Sequence, residues 1–153
     1  MPKLEVSYKK ILKLTNVLLT EVSVDNLGSY PIVVEQMENY IKSKGFQPVG
    51  PLIQQNAFME QKEESKLTIR VLRQSNGFIH HVEKPYNMEA LLRIPHCLYV
   101  RFSGDNHKLQ LAYQKLVLTA YEEDIPLRGD SYTVFIEGND ETVTADIFMP
   151  RMD

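Results

Sequence analysis

A tyrosine and an arginine share one face of a predicted strand in the second half of this 153-residue chain. In "HCLYVRFSG", the apolar side chains of Leu98, Val100 and Phe102 alternate with two polar ones. Successive residues of a strand point to opposite faces, so the apolar set suits a core and leaves Tyr99 and Arg101 on the other side. We expect this second face to line a cleft where a phenol ring and a guanidinium contact a ligand.

Two further strands are predicted at "SYTVFIEG" and "TVTADIFM", joined by a polar turn. Thr133, Phe135 and Glu137 alternate along the first of them with apolar residues. By the same alternation, we expect Asp146 of the second strand to share their face and to point into the same space as Arg101. An ion pair there and simple exposure to solvent both fit the sequence.

Neither a metal site nor a catalytic nucleophile is predicted. The four histidines, His80, His81, His96 and His107, form no helical pair and no Cys/His spacing of the kind that holds zinc, so we interpret them as solvated loop residues. Cys97 lies in a strand beside His96, but neighbours in a strand face opposite sides. A packing role for this cysteine is therefore expected, and no cofactor is predicted.

Composition excludes several classes of protein. The formal net charge is −3 and no basic block extends beyond "YKK", which argues against binding to nucleic acid. The start of the chain has no signal-peptide pattern, and no run approaches the roughly 18 apolar residues of a membrane span. The single cysteine cannot form an internal disulfide. These features predict a cytoplasmic protein with no membrane contact.

The chain shows the same order of elements twice. A strand, "VLLTEVSVD", precedes a helix, "GSYPIVVEQMENYIKSKG", that has a proline in its first turn and Gly45 as its stop. The strands "VGPLIQQNAF" and "KLTIRVLRQ" follow, separated by the charged turn "MEQKEES". This first βαββ unit covers about residues 16–76, and the apolar stripe of its helix consists of Val33, Met37, Tyr40 and Ile41.

A second βαββ unit covers about residues 96–152, after a connector at 77–95. Asp105 or Asn106 can cap its helix, and the two halves superpose with Gly50 on Gly129. We predict one α+β domain, residues 1–153, made of duplicated βαββ units that form an antiparallel sheet. Helices near 30–44 and 106–122 would pack on one face of it, the second through Leu109, Ala112, Tyr113, Leu116, Val117 and Ala120.

"VRFSGDNHKLQLAYQKL" and "SYTVFIEGNDETVTADIFMP", within this order of elements, resemble the GyrI-like small-molecule-binding superfamily over roughly residues 15–150. That superfamily includes effector-binding domains of multidrug-responsive transcription activators. The resemblance implies a groove between the two units that accepts lipophilic, often cationic, molecules beside aromatic side chains and a central glutamate.

The resemblance places Tyr132 on the family's aromatic residue, Thr133 on its glutamate and Phe135 on the following tyrosine. A threonine supplies no negative charge, so neither cation binding nor glutamate-dependent hydrolysis is expected. We therefore predict a non-enzymatic module for a small, neutral aromatic or apolar molecule. Its predicted ligand-binding residues are Tyr99, Arg101, Tyr132, Thr133, Phe135 and Glu137.

A protein-interaction accessory, adaptor-like or chaperone-like, is the alternative function. Only about 15 residues precede the first predicted strand, too few for a helix-turn-helix readout module, so a stand-alone protein is expected. The resemblance also extends to small relatives from Gram-positive bacteria that are similar in "GFQPVGPLI" and "FMPRMD", some of which accompany secreted-toxin systems. The partner would then be a neighbouring gene product, and the sequence leaves the oligomeric state open.

Overall fold

The structure is a computed structural model of the chain, and it describes residues 4–61 and 64–153. The fold is α+β, and the order of its elements is the predicted one, whereas the duplication of a βαββ unit stays a prediction. Short 3₁₀ turns at Val24–Ser29 and Asn106–Lys108 lead into the two helices. The elements are β1 (Ser7–Val22), α1 (Tyr30–Ser43), β2 (Pro48–Gln61), β3 (Glu64–Ser75), β4 (Asn87–Asp105), α2 (Leu109–Glu122), β5 (Asp130–Gly138) and β6 (Thr142–Pro150).

The chain divides into two compact units. The α1 unit comprises Lys13–Arg93, and the α2 unit comprises Met1–Leu12 together with Ile94–Asp153. In the α1 unit, β3 pairs antiparallel with both β1 and β2. Helix α1 has a proline in its first turn and ends before Gly45, whose φ of +87° suits glycine. The buried core of this unit consists of Leu18, Val22, Met37, Ile41, Ile69, Val71 and Ile79.

In the α2 unit, β6 pairs antiparallel with both β4 and β5. The side chain of Asp105 accepts a hydrogen bond from the backbone N–H of His107 at 2.8 Å, so it caps the 3₁₀ turn that precedes α2. Asn106 donates instead to the backbone oxygen of Asn139. Helix α2 and the sheet share a core of Leu98, Val100, Phe102, Ala112, Leu116, Ala120, Val143, Ala145, Ile147 and Met149.

The structure confirms the positions of both predicted helices and corrects the apolar stripe of α2. Val117 was predicted to be buried, but it is 53% exposed. Thr119 is buried in its place, and its hydroxyl donates to the backbone oxygen of Lys115 at 2.7 Å. This internal hydrogen bond lets a polar side chain occupy the buried face, because its donor is satisfied without water.

Several predicted strand boundaries change. The first strand begins at Ser7 and ends at Val22, instead of covering residues 17–25. Strand β4 begins at Asn87, so the second half of the predicted connector is strand. Strand β2 continues to Gln61 and β3 begins at Glu64, so most of the predicted charged turn "MEQKEES" is strand; its tip, residues 62 and 63, lies outside the described residues. In the part of the chain that is described, no helix is both long and apolar enough to cross a membrane.

Candidate functional site

The sheet of the α2 unit presents one face to α2 and the other away from it. We call the second one the Tyr99 face. Because directly paired residues of antiparallel strands share a face, the register arranges it in three rows across β4, β6 and β5. These rows are Tyr99, Phe148 and Tyr132; Arg101, Asp146 and Val134; and Ser103, Thr144 and Glu137.

Asp146 is the centre of a hydrogen-bonded ion pair on the Tyr99 face. Arg101 donates through Nε to Oδ1 at 2.7 Å and through Nη2 to Oδ2 at 2.9 Å. The hydroxyl of Tyr99 donates to Oδ1 at 2.8 Å. The Asp146 side chain is only 12% exposed, whereas that of Arg101 is 56% exposed. The buried carboxylate is therefore neutralised by a cation that still reaches solvent.

The phenol of Tyr99 is held in its neutral form. Burial raises its pKa, and the hydrogen bond to Asp146 raises it further, because the neighbouring carboxylate disfavours a second negative charge. The same carboxylate raises the pKa of Arg101, which stays protonated. The sequence left open an ion pair or simple exposure for Asp146, and the structure pairs it with Arg101.

Aromatic rings line the row next to this ion pair. The rings of Tyr99 and Phe148 lie 5.0 Å apart between centroids and are tilted by 48°. Tyr132, which is buried, lies opposite Phe148 on the neighbouring strand. The ammonium of Lys10, on β1, lies 5.3 Å from the centroid of the Tyr99 ring. Such an arrangement supplies stacking and cation–π surface beside a fixed polar group.

The expected common face of Thr133, Phe135 and Asp146 is wrong. Thr133 pairs with Ile147 on the side of α2, is 1% exposed, and shares a hydrogen bond with the hydroxyl of Tyr113 on that helix. Phe135 packs against the same helix-side core. We therefore build no part of the candidate site on these two residues, and their assignment as ligand contacts stays a prediction.

A β-bulge explains the error. The register shifts between Phe135 and Glu137, which leaves Ile136 as the extra residue. Glu137 lies opposite Thr144, and regular pairing continued from there would have put Phe135 opposite Asp146. The bulge puts Phe135 opposite Ala145 instead, so only Glu137 shares the face of Asp146, as expected.

Glu137 lies at the rim of the Tyr99 face, beside a pocket near the β5–β6 turn. This cavity of about 390 Å³ is lined by Glu137 with Ser103, Gly138, Asn139, Thr142, Val143 and Thr144. The hydroxyls of Ser103 and Thr144 are hydrogen-bonded at 2.9 Å. Its lining is thus mainly polar, unlike the apolar cavity expected for a lipophilic molecule.

The surroundings of Cys97 and His96 indicate structural roles. Cys97 is fully buried, its thiol donates weakly to the backbone oxygen of Ile94, and burial raises its pKa to about 11. A thiol of this pKa is a poor nucleophile at neutral pH. His96 lies 3.4 Å from the carboxylate of Asp153. Among the side chains that the structure describes, residues 4–57 and 67–153, no three of His, Cys, Asp or Glu are grouped as metal ligands would be.

Sequence reasoning missed Lys10 and the role of Phe148. Lys10 belongs to the "YKK" stretch, which has no local pattern that points to Tyr99. The contact joins residues far apart in the chain, so only the fold brings them together. Phe148 has apolar neighbours on both sides in "TVTADIFM". The sequence does not show that it pairs with Tyr99 and Tyr132 on the adjacent strands.

Comparisons with known proteins identify the fold without naming a family. No family model matches the chain, and no curated protein is similar in sequence. Among solved structures, a chain of the EcmrR–DNA complex in EcmrR-RPo aligns with a TM-score of 0.73 and 14% identity over 97% of this chain. This chain spans 57% of the length of that one.

Two solved structures of similar length have the same fold. A hydrolase encoded by lin2189 from Listeria innocua has a TM-score of 0.61 and 13% identity, covering 94% of this chain and 91% of that one. SAV2435 bound to tetraphenylphosphonium has a TM-score of 0.56 and 7% identity, covering 95% of this chain and 94% of that one. At such low identities, the similarity shows a shared fold and carries no activity over to this chain.

Proposed function

We propose that this chain is a GyrI-like, non-enzymatic module that binds a small, neutral aromatic or apolar molecule at the Tyr99 face. The observation that carries the proposal is the tilted pair of Tyr99 and Phe148 directly beside the ion pair of Asp146 with Arg101. Tyr99 is half-buried and offers ring surface, Phe148 is buried against it, and the polar groups beside them can fix the orientation of a ligand.

A neutral ligand fits this face better than a lipophilic cation. The carboxylate of Asp146 already accepts three hydrogen bonds, two from Arg101 and one from Tyr99. A cation at this carboxylate would have to displace the guanidinium, which already makes two charge-assisted hydrogen bonds to it. A neutral ring can instead contact the half-buried ring of Tyr99 while the ion pair stays intact.

The comparisons support a binding function in a general way. SAV2435, which has a similar fold, has been solved with tetraphenylphosphonium bound. The hydrolase of similar fold suggests no mechanism here, because Asp146 is committed to Arg101 and the Cys97 thiol is buried with a raised pKa. We therefore include no catalytic residue in the proposal.

A thermal-shift screen with paired variants tests the proposal. Neutral aromatic compounds should raise the melting temperature at concentrations where lipophilic cations do not, because binding to the native state stabilises it by mass action. Tyr99→Leu should abolish the shift, since it removes the ring and keeps apolar volume. Tyr121→Leu is the control, because Tyr121 lies on α2 and is 82% exposed. A cation response that both variants retain would refute the proposal.

A protein partner is the second candidate, and one surface favours it. The outer side of α2 exposes an apolar stripe of Leu111, Val117, Leu118 and Tyr121. Val117, Leu118 and Tyr121 lie within about one turn of one another, and exposed Gln114 and Lys115 separate them from Leu111. Exposed apolar patches often mark contacts with other proteins.

Charge placed in this stripe tests the partner hypothesis. Leu118→Glu should abolish the capture of a partner from the native organism, detected by mass spectrometry of cross-linked complexes. Ile32→Glu is the matched control, because Ile32 is similarly exposed but lies on α1. Capture that both variants lose equally, or neither loses, would count against the stripe as a docking surface.

A further inference from the structure

Lys10 brings a positive charge to the Tyr99 face. Its ammonium lies over the Tyr99 ring at 5.3 Å from the centroid, and its residue is exposed. Among the described residues, no carboxylate lies within ion-pair distance of this ammonium. Within the described part of the chain, the contact recorded for this ammonium is the Tyr99 ring, and its three N–H donors can reach a ligand.

Arg101 keeps spare donors after it has paired with Asp146. Its guanidinium has five N–H groups, and the contacts to Asp146 use one from Nε and one from Nη2. Nη1 has no hydrogen-bond partner within the described part of the chain. Because the Arg101 side chain is 56% exposed, these remaining donors are accessible.

Among the described residues, the balance of charge around the aromatic row is positive. Arg101 and Asp146 cancel, and Lys10 remains. Glu137 does not compensate, because it lies one row further along the sheet and two strands across from Arg101. At about 6.8 Å per row and about 4.8 Å per strand, the separation of the backbones is roughly 12 Å, beyond the Debye length of about 8 Å in physiological salt.

We propose that the Tyr99 face prefers aromatic molecules that carry a carboxylate, with Lys10 and Arg101 as the groups that bind the acid. This inference rests on the proposed function and names a preferred class of ligand for the same site. The aromatic ring binds whether or not the ligand is charged, and a carboxylate increases the affinity. Charge-assisted hydrogen bonds from two cations to one anion are stronger than those to a neutral amide. A cationic ligand meets Lys10 and is disfavoured.

Three probes that share one ring system separate these contributions. We would measure the binding of naphthoate, naphthamide and naphthylmethylammonium by isothermal titration calorimetry. Naphthoate should bind roughly 5-fold to 10-fold more tightly than naphthamide, and naphthylmethylammonium should bind most weakly. In Lys10→Gln, the ratio of naphthoate to naphthamide affinity should fall below about 2-fold. Lys9→Gln is the matched control, because the neighbouring side chain of β1 points to the other face.

Each other outcome contradicts a specific part of the reasoning. Equal affinity for naphthoate and naphthamide would overturn the ligand class and leave the proposed function intact. A preference for naphthoate that Lys10→Gln does not reduce, or that Lys9→Gln reduces equally, would overturn the assignment to Lys10. If naphthylmethylammonium bound most tightly, both the ligand class and the assignment to Lys10 would be overturned. Binding of none of the three probes would remove the proposed function, and the inference with it.

Discussion

The Thr133→Glu substitution tests whether Thr133 lies on the Tyr99 face or on the face that packs against α2. The two placements predict opposite effects on stability. On the Tyr99 face, a carboxylate at this position would create a site for cations at little cost in stability. Thr133 instead faces α2, where it is 1% exposed and hydrogen-bonded to Tyr113. The substitution therefore forces a larger, charged side chain into the packed layer between the sheet and the helix.

The expected loss of stability is large. A buried carboxylate without a cationic partner costs several kcal/mol even after relaxation, and overpacking adds about 1–3 kcal/mol. The hydrogen bond with Tyr113 contributes about 1 kcal/mol more. We expect Thr133→Glu to lower the free energy of unfolding by about 4–6 kcal/mol near neutral pH, out of the roughly 5–15 kcal/mol typical of native proteins.

Urea unfolding of two variants at two pH values isolates the effect of the charge. Thr133→Gln has almost the same size and no charge, so its stability should not share the pH dependence of Thr133→Glu. Burial raises the folded-state pKa of the introduced carboxyl above its unfolded value of about 4.3. The deficit relative to Thr133→Gln is thus absent below about pH 4, grows as the pH rises, and is complete above the folded-state pKa.

Circular dichroism is a suitable readout, because the chain has no tryptophan. A wild-type unfolding midpoint for Thr133→Glu near neutral pH would refute the orientation of β5. So would a gap to Thr133→Gln that is the same at about pH 5 and about pH 8, since a buried carboxyl must titrate between folded and unfolded states. A gain of tetraphenylphosphonium binding by a stable Thr133→Glu variant would support the opposite face.

Three further outcomes test the packing and the ion pair. Cys97, whose burial raises its pKa to about 11, should react with iodoacetamide only after unfolding, as mass spectrometry would detect; rapid labelling of the folded protein would contradict this. Gly77→Ala should cost about 1–3 kcal/mol in urea unfolding, because a Cβ there would lie 2.2 Å from the Phe46 ring, and an unchanged midpoint would be inconsistent with this contact. Asp146→Asn should cost about 1–2 kcal/mol and lower the pKa of Tyr99 in an ultraviolet titration; no change in that pKa would mean that the two side chains are not in contact.

Local signals predicted the helices well. The stripe through Met37 and Ile41 repeats at the period of a helix, and Gly45 supplies the stop that the structure confirms with its positive φ. Asp105 was one of two candidate caps, and it is the residue that accepts the hydrogen bond. These features depend on neighbours within one or two turns, so a sequence contains nearly all the information that they need.

Strand faces depend on pairing, which a sequence does not specify locally. The alternation in "SYTVFIEG" correctly predicted a strand, but the residue opposite each position depends on the bulge at Ile136. Residues before the extra residue point to the face opposite to the one that regular alternation predicts from the residues after it. Glu137 was therefore placed correctly and Phe135 was not. The early start of β1 was also missed, because three lysines interrupt the apolar residues of "SYKKILKLTN", although Leu12 and Leu14 are buried.

The identity of the acid that neutralises Arg101 determines which ligands the Tyr99 face can accept. Glu137 and Asp146 were both candidates in the sequence. Had Glu137 been the partner, the carboxylate of Asp146 would have been buried without a cation, and a cationic ligand could have supplied the missing charge. The register instead places Asp146 directly opposite Arg101 and leaves Glu137 exposed at the rim. With that pair closed, the charge that the described residues leave beside the rings is the ammonium of Lys10, so affinity should increase from cationic to neutral to anionic aromatic molecules.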